Sequence, residues 1–394
     1  MDFEFTPEQE GFRRQLRTWL ESNLPPDLRT DPSGSITAPN REVFERRRQF
    51  QKKLYDARWI GIWWPREYGG RGAGLIEQHI YDREYERSRA PLPHNHAAIN
   101  QWGPTLMNWG TPAQKDRFLT RMLSGEDSWC QGYSEPNAGS DLASLQTRAE
   151  DRGDYFLLNG QKIWTSGAQF SDWMYMLVRT DPKAPKHRGI SCMYLDLHCP
   201  GVAVRPLVFI NGEHHFNEVF FDNVQVPKDN LVGPLHEGWK VAMTTLGYER
   251  SAAAGRAHEL QLQRLDRLAR AVEIGGRPAA EDSYVRQQLA RLHIEYEAFK
   301  YTGLRALTRL LKGLPPGPER SMMKIAGAEL AVRINRFVTE LLGCHALVDG
   351  PTPAVPDGAE VLNRVLLARV HCVSGGTVEI QRNIIGERTL GLPK

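Results

Sequence analysis

A block of strand signals over residues 126–237 interrupts a sequence that otherwise reads as helix. A chain in that order has to bury a sheet among helical segments. Within the block, Tyr155-Phe156-Leu157-Leu158, then Asn159-Gly160, then Gln161-Lys162-Ile163-Trp164 predicts a β-hairpin, because Asn-Gly suits the type I′ turn. Trp173–Arg179, Ile190–Leu197, Val202–Pro206 and Asn217–Val226 follow as strands, separated by Pro, Gly, Asn and Asp. On the N-terminal side, Thr6-Pro7-Glu8-Gln9 and Thr111-Pro112-Ala113-Gln114 each set Thr, Pro and Gln where a helix wants its cap, first residue and third residue. Pro65–Gly74 and Ala90–Pro93 are breaks. On the C-terminal side, Val285, Leu289, Leu292, Tyr296 and Phe299 begin an apolar seam that Gly303, Leu307 and Leu310 continue, as in a packed bundle. Leu314–Pro318 ends that helix. Met322–Leu342 and Ala359–Ser374 predict two more, and Gly375-Gly376 breaks the last. The expected fold is α+β and multidomain. An N-terminal helical domain covers 1–125, a β-barrel or sandwich covers 126–237, and a C-terminal four-helix bundle covers 238–394.

Composition agrees with two kinds of material. The chain has 394 residues and ten tryptophans, all within the first 239 positions. Trp-free Leu/Ala/Arg helices need no large rings to pack. The net charge of +3 gives no electrostatic footprint for nucleic acid. No apolar run of ~18 residues predicts a membrane span. Met1 to Glu8 lacks a signal pattern, and the five cysteines are scattered with no CxxC pair. A cytoplasmic protein without integral membrane insertion is expected. Gly69–Gly74 fails the GxGxxG spacing, and His94-Asn95-His96 and His214-His215 lack companion ligands. They are expected to be loop histidines, with no metal.

Three polar segments remain. Cys130–Asp141 is rich in small and hydroxylated residues, which suits either an ordinary loop or one whose backbone approaches a ligand. In Lys162-Ile163-Trp164-Thr165-Ser166-Gly167-Ala168, the Trp leaving a strand is either a structural ring or one wall of an aromatic site. Ser374–Asn383 is a polar turn between helices.

Taken together, in this order and on an α–β–α layout, these segments resemble the acyl-CoA dehydrogenase family over essentially the whole chain. Pro65-Arg66-Glu67-Tyr68-Gly69-Gly70, Gly110-Thr111-Pro112-Ala113-Gln114-Lys115, Phe216-Asn217-Glu218-Val219-Phe220-Phe221 and Ile384-Ile385-Gly386-Glu387-Arg388 add to the likeness. The resemblance implies FAD and oxidation of the α–β bond of an acyl-CoA thioester to a trans double bond. A base takes the α-proton while a hydride leaves the β-carbon for the flavin. It further implies that Tyr133 and Ser134 line the flavin's pyrimidine side, that Trp164 covers the isoalloxazine, and that Ser166 bonds near N5. Ser140 is expected at the CoA portion, Thr377 and Glu379 at the phosphate-ribose end, and Met243 and Tyr248 near the acyl group. Tyr133 departs from the family's commoner aliphatic residue.

Most members set the base immediately before the Gly-Thr of the third segment, where this chain has Gly375. A minority, resembling long-chain and isovaleryl types, carry it on an earlier helix before an Arg. Here Gly238-Trp239-Lys240-Val241-Ala242-Met243 leads to Leu246-Gly247-Tyr248-Glu249-Arg250. Glu249 is therefore the expected base, Gly375 clears the alternative position, and Arg250 has a structural or orienting role on the substrate side. The family's Arg-x-x-Phe segment is absent from Ala271–Ala280, and its Gln-x-Phe-Gly-Gly segment is altered to Glu340–His345. The assembly is expected to be a homodimer, a homotetramer or a hetero-oligomer, with an electron-transfer flavoprotein as acceptor. The rival readings are an oxidase or monooxygenase of the same fold, and a weakly catalytic partner subunit.

Overall fold

Thr6 and Thr111 do what their spacing promises. Each accepts the N3 amide while the N3 glutamine reaches back to the cap, closing two capping boxes. They start α1 (Pro7–Asn23) and, after α2 (Arg41–Asp56), α3 (Leu75–Arg87) and α4 (Gly103–Trp109), α5 (Pro112–Ser124). The computed structural model of the chain describes residues 4–29, 38–249, 256–348, 350 and 358–393. Of Glu249 it describes the backbone alone.

The strands are β1 (Trp129–Gly132), β2 (Arg148–Asp151), β3 (Tyr155–Ser166), β4 (Trp173–Arg179), β5 (Ile190–Asp196), β6 (Val202–Leu207), β7 (Phe216–Pro227) and β8 (Leu231–Val232). They make one eight-stranded sheet in the order β6-β7-β3-β2-β4-β5-β8, with β1 alongside β4. Both β1 and β2 run parallel to β4, and the other pairs are antiparallel. Its core is Phe156, Leu158, Met174, Met176, Val178, Met193, Leu195, Val219, Val224 and Val226. Four of the ten tryptophans, Trp59, Trp64, Trp102 and Trp129, are buried. Trp102 lies flat on Tyr175, with centroids 4.5 Å apart and planes 2° apart.

The hairpin expected at Asn159-Gly160 is not there. β3 runs unbroken for 12 residues between β2 and β7. Gly160 takes φ +145 at a register shift against β7, and a Cβ on it would meet Thr147 Cα at 2.7 Å. Asn159 closes the irregularity by accepting the Asn223 amide at 2.9 Å. The same conformational freedom that makes glycine a turn residue here serves a bulge and a close approach.

After the sheet come α6 (Gly238–Glu249), α7 (Arg256–Ala271), a two-residue ladder of β9 (Glu273–Ile274) and β10 (Arg277–Pro278), α8 (Ser283–Leu311) and α9 (Glu319–Leu342). Then follow α10 (Gly358–Leu367), α11 (Val370–Val373) and α12 (Val378–Ile384). The helix expected over Ala359–Ser374 is thus split between α10 and α11. The described residues fall into two compact units. One holds the chain up to 81 and from 90 to 249, and the other holds 82–89 and everything from 256 onward. The core of the second is built on part of the expected seam, with Val285, Leu292, Tyr296 and Phe299 buried against Leu262, Leu265, Leu330, Ile334 and Phe337, while Leu289, Gly303, Leu307 and Leu310 are half-buried. Among the described residues, no helix is long and apolar enough to cross a membrane and no His/Cys/Asp/Glu cluster could hold a metal.

Candidate active site

The first unit carries a loop, a strained strand and a helix tied together by polar side chains. The loop follows β1. Glu135 and Ala138 exchange backbone hydrogen bonds, both 3.0 Å, in a tight turn. The Glu135 carboxylate then accepts the amides of Gln146 (2.6 Å) and Thr147 (2.8 Å), drawing the two ends of the loop together. Its third donor is Lys162 Nζ on β3, at 2.8 Å. Lys162 is wholly buried and also donates to the Tyr133 carbonyl at 3.1 Å. The Arg179 guanidinium fixes the far side of the loop through the carbonyls of Ala143 (2.6 Å) and Leu145 (3.4 Å).

Burial pushes the Lys162 ammonium down to about 8, against the opposing pull of Glu135. For Glu135, burial acts upward, but Lys162 and the amide donors outweigh it and hold the carboxyl below its ordinary value. Such a pair gives geometry rather than net stability, because desolvating two charges offsets most of their attraction.

Two residues beyond Lys162 the strand is again irregular. The register against β7 shifts between Lys162 and Thr165, and Trp164 sits at φ +61, a conformation costly for a bulky side chain. The consequence is an indole that is 56% exposed, propped edge-on against Phe216 with centroids 5.8 Å apart. Ser166, also exposed, ends the strand. An outward-facing flat aromatic surface held by backbone strain, with a hydroxyl two residues on, fits a planar conjugated ring such as a flavin.

Helix α6 closes the constellation. It docks on β5 through Gly238, where a Cβ would meet the Ser191 carbonyl carbon at 2.3 Å. Tyr133 OH donates to Thr245 Oγ1 at 3.0 Å, and Thr245 Oγ1 lies 3.0 Å from Thr105 Oγ1. Trp109 Nε1 donates to Thr244 Oγ1 at 3.0 Å, and Asn108 donates to Tyr248 OH at 3.2 Å. Tyr248 also stacks near Trp63, 6.4 Å between centroids. Glu249 is the last residue of α6.

Of the residues singled out from sequence, this unit therefore holds Tyr133, Ser134, Ser140, Trp164, Ser166, Met243, Tyr248 and Glu249. Ser134 is half-buried, with its carbonyl taking the Ile163 amide at 3.0 Å, and Ser140 is exposed. The Tyr133 phenol points away from solvent and into the α4–α6 contact, where its buried hydroxyl donates to Thr245. Arg250 and the Glu249 side chain lie outside the described residues. Thr377 and Glu379 belong to the other unit. There Thr377 caps α12 by accepting the Ile380 amide at 3.2 Å. Glu379 is exposed; its own amide and the Thr377 hydroxyl hold its carboxyl below the ordinary value. Gly375 and Gly376, just before, both have positive φ, +65 and +86. Sequence reading missed Glu135, Lys162, Arg179, Thr105 and Thr245. Lys162 alone left a signal, as a charged residue at an inward position of an apolar strand.

Comparison with known proteins supplies the identity. Residues 6–126, 130–224 and 236–390 match, in order, the N-terminal, middle and C-terminal domains of acyl-CoA dehydrogenases. The chain belongs to the acyl-CoA dehydrogenase family. As an acyl-CoA dehydrogenase it is a flavoprotein oxidoreductase of lipid metabolism, and FAD is the family cofactor. It is 38% identical over 394 residues to acyl-CoA dehydrogenase IpdE1 of Mycobacterium tuberculosis, covering 98% of each chain. Among solved structures it resembles the steroid ACAD Tcur3481-Tcur3483, with TM-score 0.86, 31% identity and full coverage of both chains (100% and 100%). It also resembles the ChsE4-ChsE5 complex from Mycobacterium tuberculosis, with TM-score 0.85, 32% identity and the same coverage of 100% and 100%.

Proposed function

We propose that this chain dehydrogenates an acyl-CoA thioester between its α and β carbons, giving the trans-2-enoyl-CoA, with Glu249 as the α-proton base. The observation that supports this reading is the course of α6. Anchored by Gly238 and held at Thr245, it ends on Glu249 within the same compact unit as the exposed Trp164 and the Ser134 loop. The backbone of Gly375 agrees with it. At φ +65, that position is unfavourable for a residue with a side chain, a carboxylate included.

Each residue then has a task. FAD, when bound, supplies the hydride acceptor. Trp164 covers its ring and Ser166 bonds near the reacting edge. Tyr133 and Ser134 edge the pyrimidine side, and Thr377 and Glu379 take the phosphate-ribose end. Ser140 meets CoA, Met243 and Tyr248 border the acyl group, and Arg250 orients its neighbour. Substrate binding excludes water around Glu249, which raises its proton affinity toward what a base at neutral pH needs. An electron-transfer flavoprotein takes the electrons onward. The relative described as a steroid ACAD puts steroid-derived thioesters first in a panel of acyl-CoAs scored by flavin bleaching.

The decisive variant is Glu249→Gln. It is expected to keep its flavin spectrum and melting temperature while losing roughly 10²–10⁴-fold in turnover, the usual contribution of a general base. Turnover near that of the parent, on a saturating substrate, overturns the assignment.

A second reading is favoured by the two-name complexes among the relatives. In it, this chain works within a hetero-oligomer. A chain that is colourless alone and yellow only when co-expressed with a related subunit supports that assembly, and a yellow, active homo-oligomer rules it out.

A further inference from the structure

Tyr133 touches both halves of the constellation. Its carbonyl is held by Lys162 Nζ (3.1 Å), two residues before the strained Trp164. Its hydroxyl is buried and donates to Thr245 on α6 (3.0 Å). Thr245 and Glu249 are four residues apart on one helix, hence stacked on the same face one turn apart. The Thr245 hydroxyl is itself at the centre of a small network. It lies 3.0 Å from Thr105 Oγ1 and 3.2 Å from the Val241 carbonyl, and Thr105 Oγ1 donates to the Gln101 carbonyl at 2.7 Å.

We infer that Tyr133 is a positioning residue: its side chain is a strut that sets the height and rotation of α6, and through it the base at Glu249, relative to the strand that carries Trp164. The inference rests on the reading of Glu249 as the base. An aliphatic residue at 133 fills space but supplies no directional bond. A phenol fixes one point on α6 to within hydrogen-bonding tolerance, one helical turn from the reacting carboxylate. The link is a contiguous chain of hydrogen bonds and one helix turn, all inside one compact unit, so it needs no movement elsewhere.

The network makes the strut separable from folding. Without the Tyr133 hydroxyl, Thr245 and Thr105 still have carbonyls to donate to, so Tyr133→Phe orphans no buried donor. Thr245→Val, by contrast, removes the acceptor that the Tyr133 O–H uses on α6. The double variant removes both sides of that bond.

Four variants test the idea with two kinds of readout. In acyl-CoA turnover, Tyr133→Phe and Thr245→Val are each expected to lower kcat about tenfold, the scale of a sub-ångström misplacement of a reacting group, with KM unchanged and FAD affinity moving far less than kcat. Thr245→Ser, which keeps the hydroxyl, recovers most of the loss. In denaturation of the FAD-free protein, the double variant is expected to lose less than the sum of the losses of Tyr133→Phe and Thr245→Val, the non-additive signature of a direct contact. Glu249→Gln is measured alongside. If it is inactive while Tyr133→Phe turns over like the parent, the strut is overturned and the base assignment stands. If Tyr133→Phe loses FAD affinity in proportion to kcat, Tyr133 is only a cofactor wall and the inference also fails. Parental turnover in Glu249→Gln overturns the base assignment and the strut with it.

Discussion

The sheet-bearing unit and the helical bundle are stabilised by different means, although each is close-packed. The bundle is periodic. Its core is the Val285–Leu292–Tyr296–Phe299 stripe of α8 against α7 and α9, and its ion pairs include the half-buried Arg333–Glu295 pair at 2.7 Å. The sheet-bearing unit spends its interior on exceptions. It has a buried lysine, a guanidinium tied to backbone carbonyls, a tryptophan at positive φ and hydroxyls linking helix to strand. Exceptions of that kind fix side chains in space more tightly than a seam of leucines does. On the proposed reading, the difference separates a unit that fixes the geometry of the chemistry from one that can tolerate repacking.

The largest expected separation between the two comes from charge removal. Lys162→Met leaves the Glu135 carboxylate buried and unpaired, and should cost about 3–5 kcal/mol in chemical denaturation. Arg333→Ala, on the half-exposed bundle pair, should cost about 0–1 kcal/mol. Equal effects would erase the distinction.

Next in size is a matter of contact. Gly238→Ala drives a methyl into the Ser191 backbone and should cost about 3 kcal/mol, the upper end for overpacking. On the same helix, Gly247 has open space, so Gly247→Ala should stabilise by up to about 1 kcal/mol through helix propensity alone. The pair isolates the docking of α6 from its helicity.

The smallest separation is in acid. Burial lowers His94 from 6.5 to about 3, next to the Arg48 charge, and neither of its buried ring nitrogens has a partner among the described residues. A folded value below the unfolded one means that only the unfolded chain takes up the proton between those limits. Stability is therefore intact above the unfolded value and falls as the pH drops. From pH 7 to 5 the loss assigned to His94 is about 2 kcal/mol. His94→Gln should flatten the slope by that amount in denaturation at the two pH values. His258→Gln should flatten it less, because in the bundle the Gly327 carbonyl at 2.9 Å partly offsets the burial of His258.

Much of this fold could be read locally. A capping box needs four residues and an apolar seam a few turns, so α1, α5 and α8 follow from nearby sequence. Four strands fell where expected, but β1 and β2 have only four residues and β8 only two, too short for alternation to show. Asn159-Gly160 misled because the same glycine freedom serves turn and bulge, and only the partner strand decides between them. The site divides in the same way. Trp164 and Ser166 stood out by residue type beside a strand end. Thr105 and Thr245 did not, because each is an ordinary helical threonine until its partner, 140 residues away, is in place.

The irregularity at Trp164 also has a consequence in time. It exists only as a mismatch between β3 and β7, where Lys162 faces Val219 and Thr165 faces Asn217. Everything from β4 to β6 lies between those partners in the chain. Closing so long a loop costs entropy before any contact repays it, and pairings of this kind set the pace of folding. The aromatic face is thus withheld from a growing chain until the strands between have been made and β7 has returned to β3. On the proposed reading of Trp164 as the wall of the flavin site, cofactor capture falls to chains whose sheet is already complete.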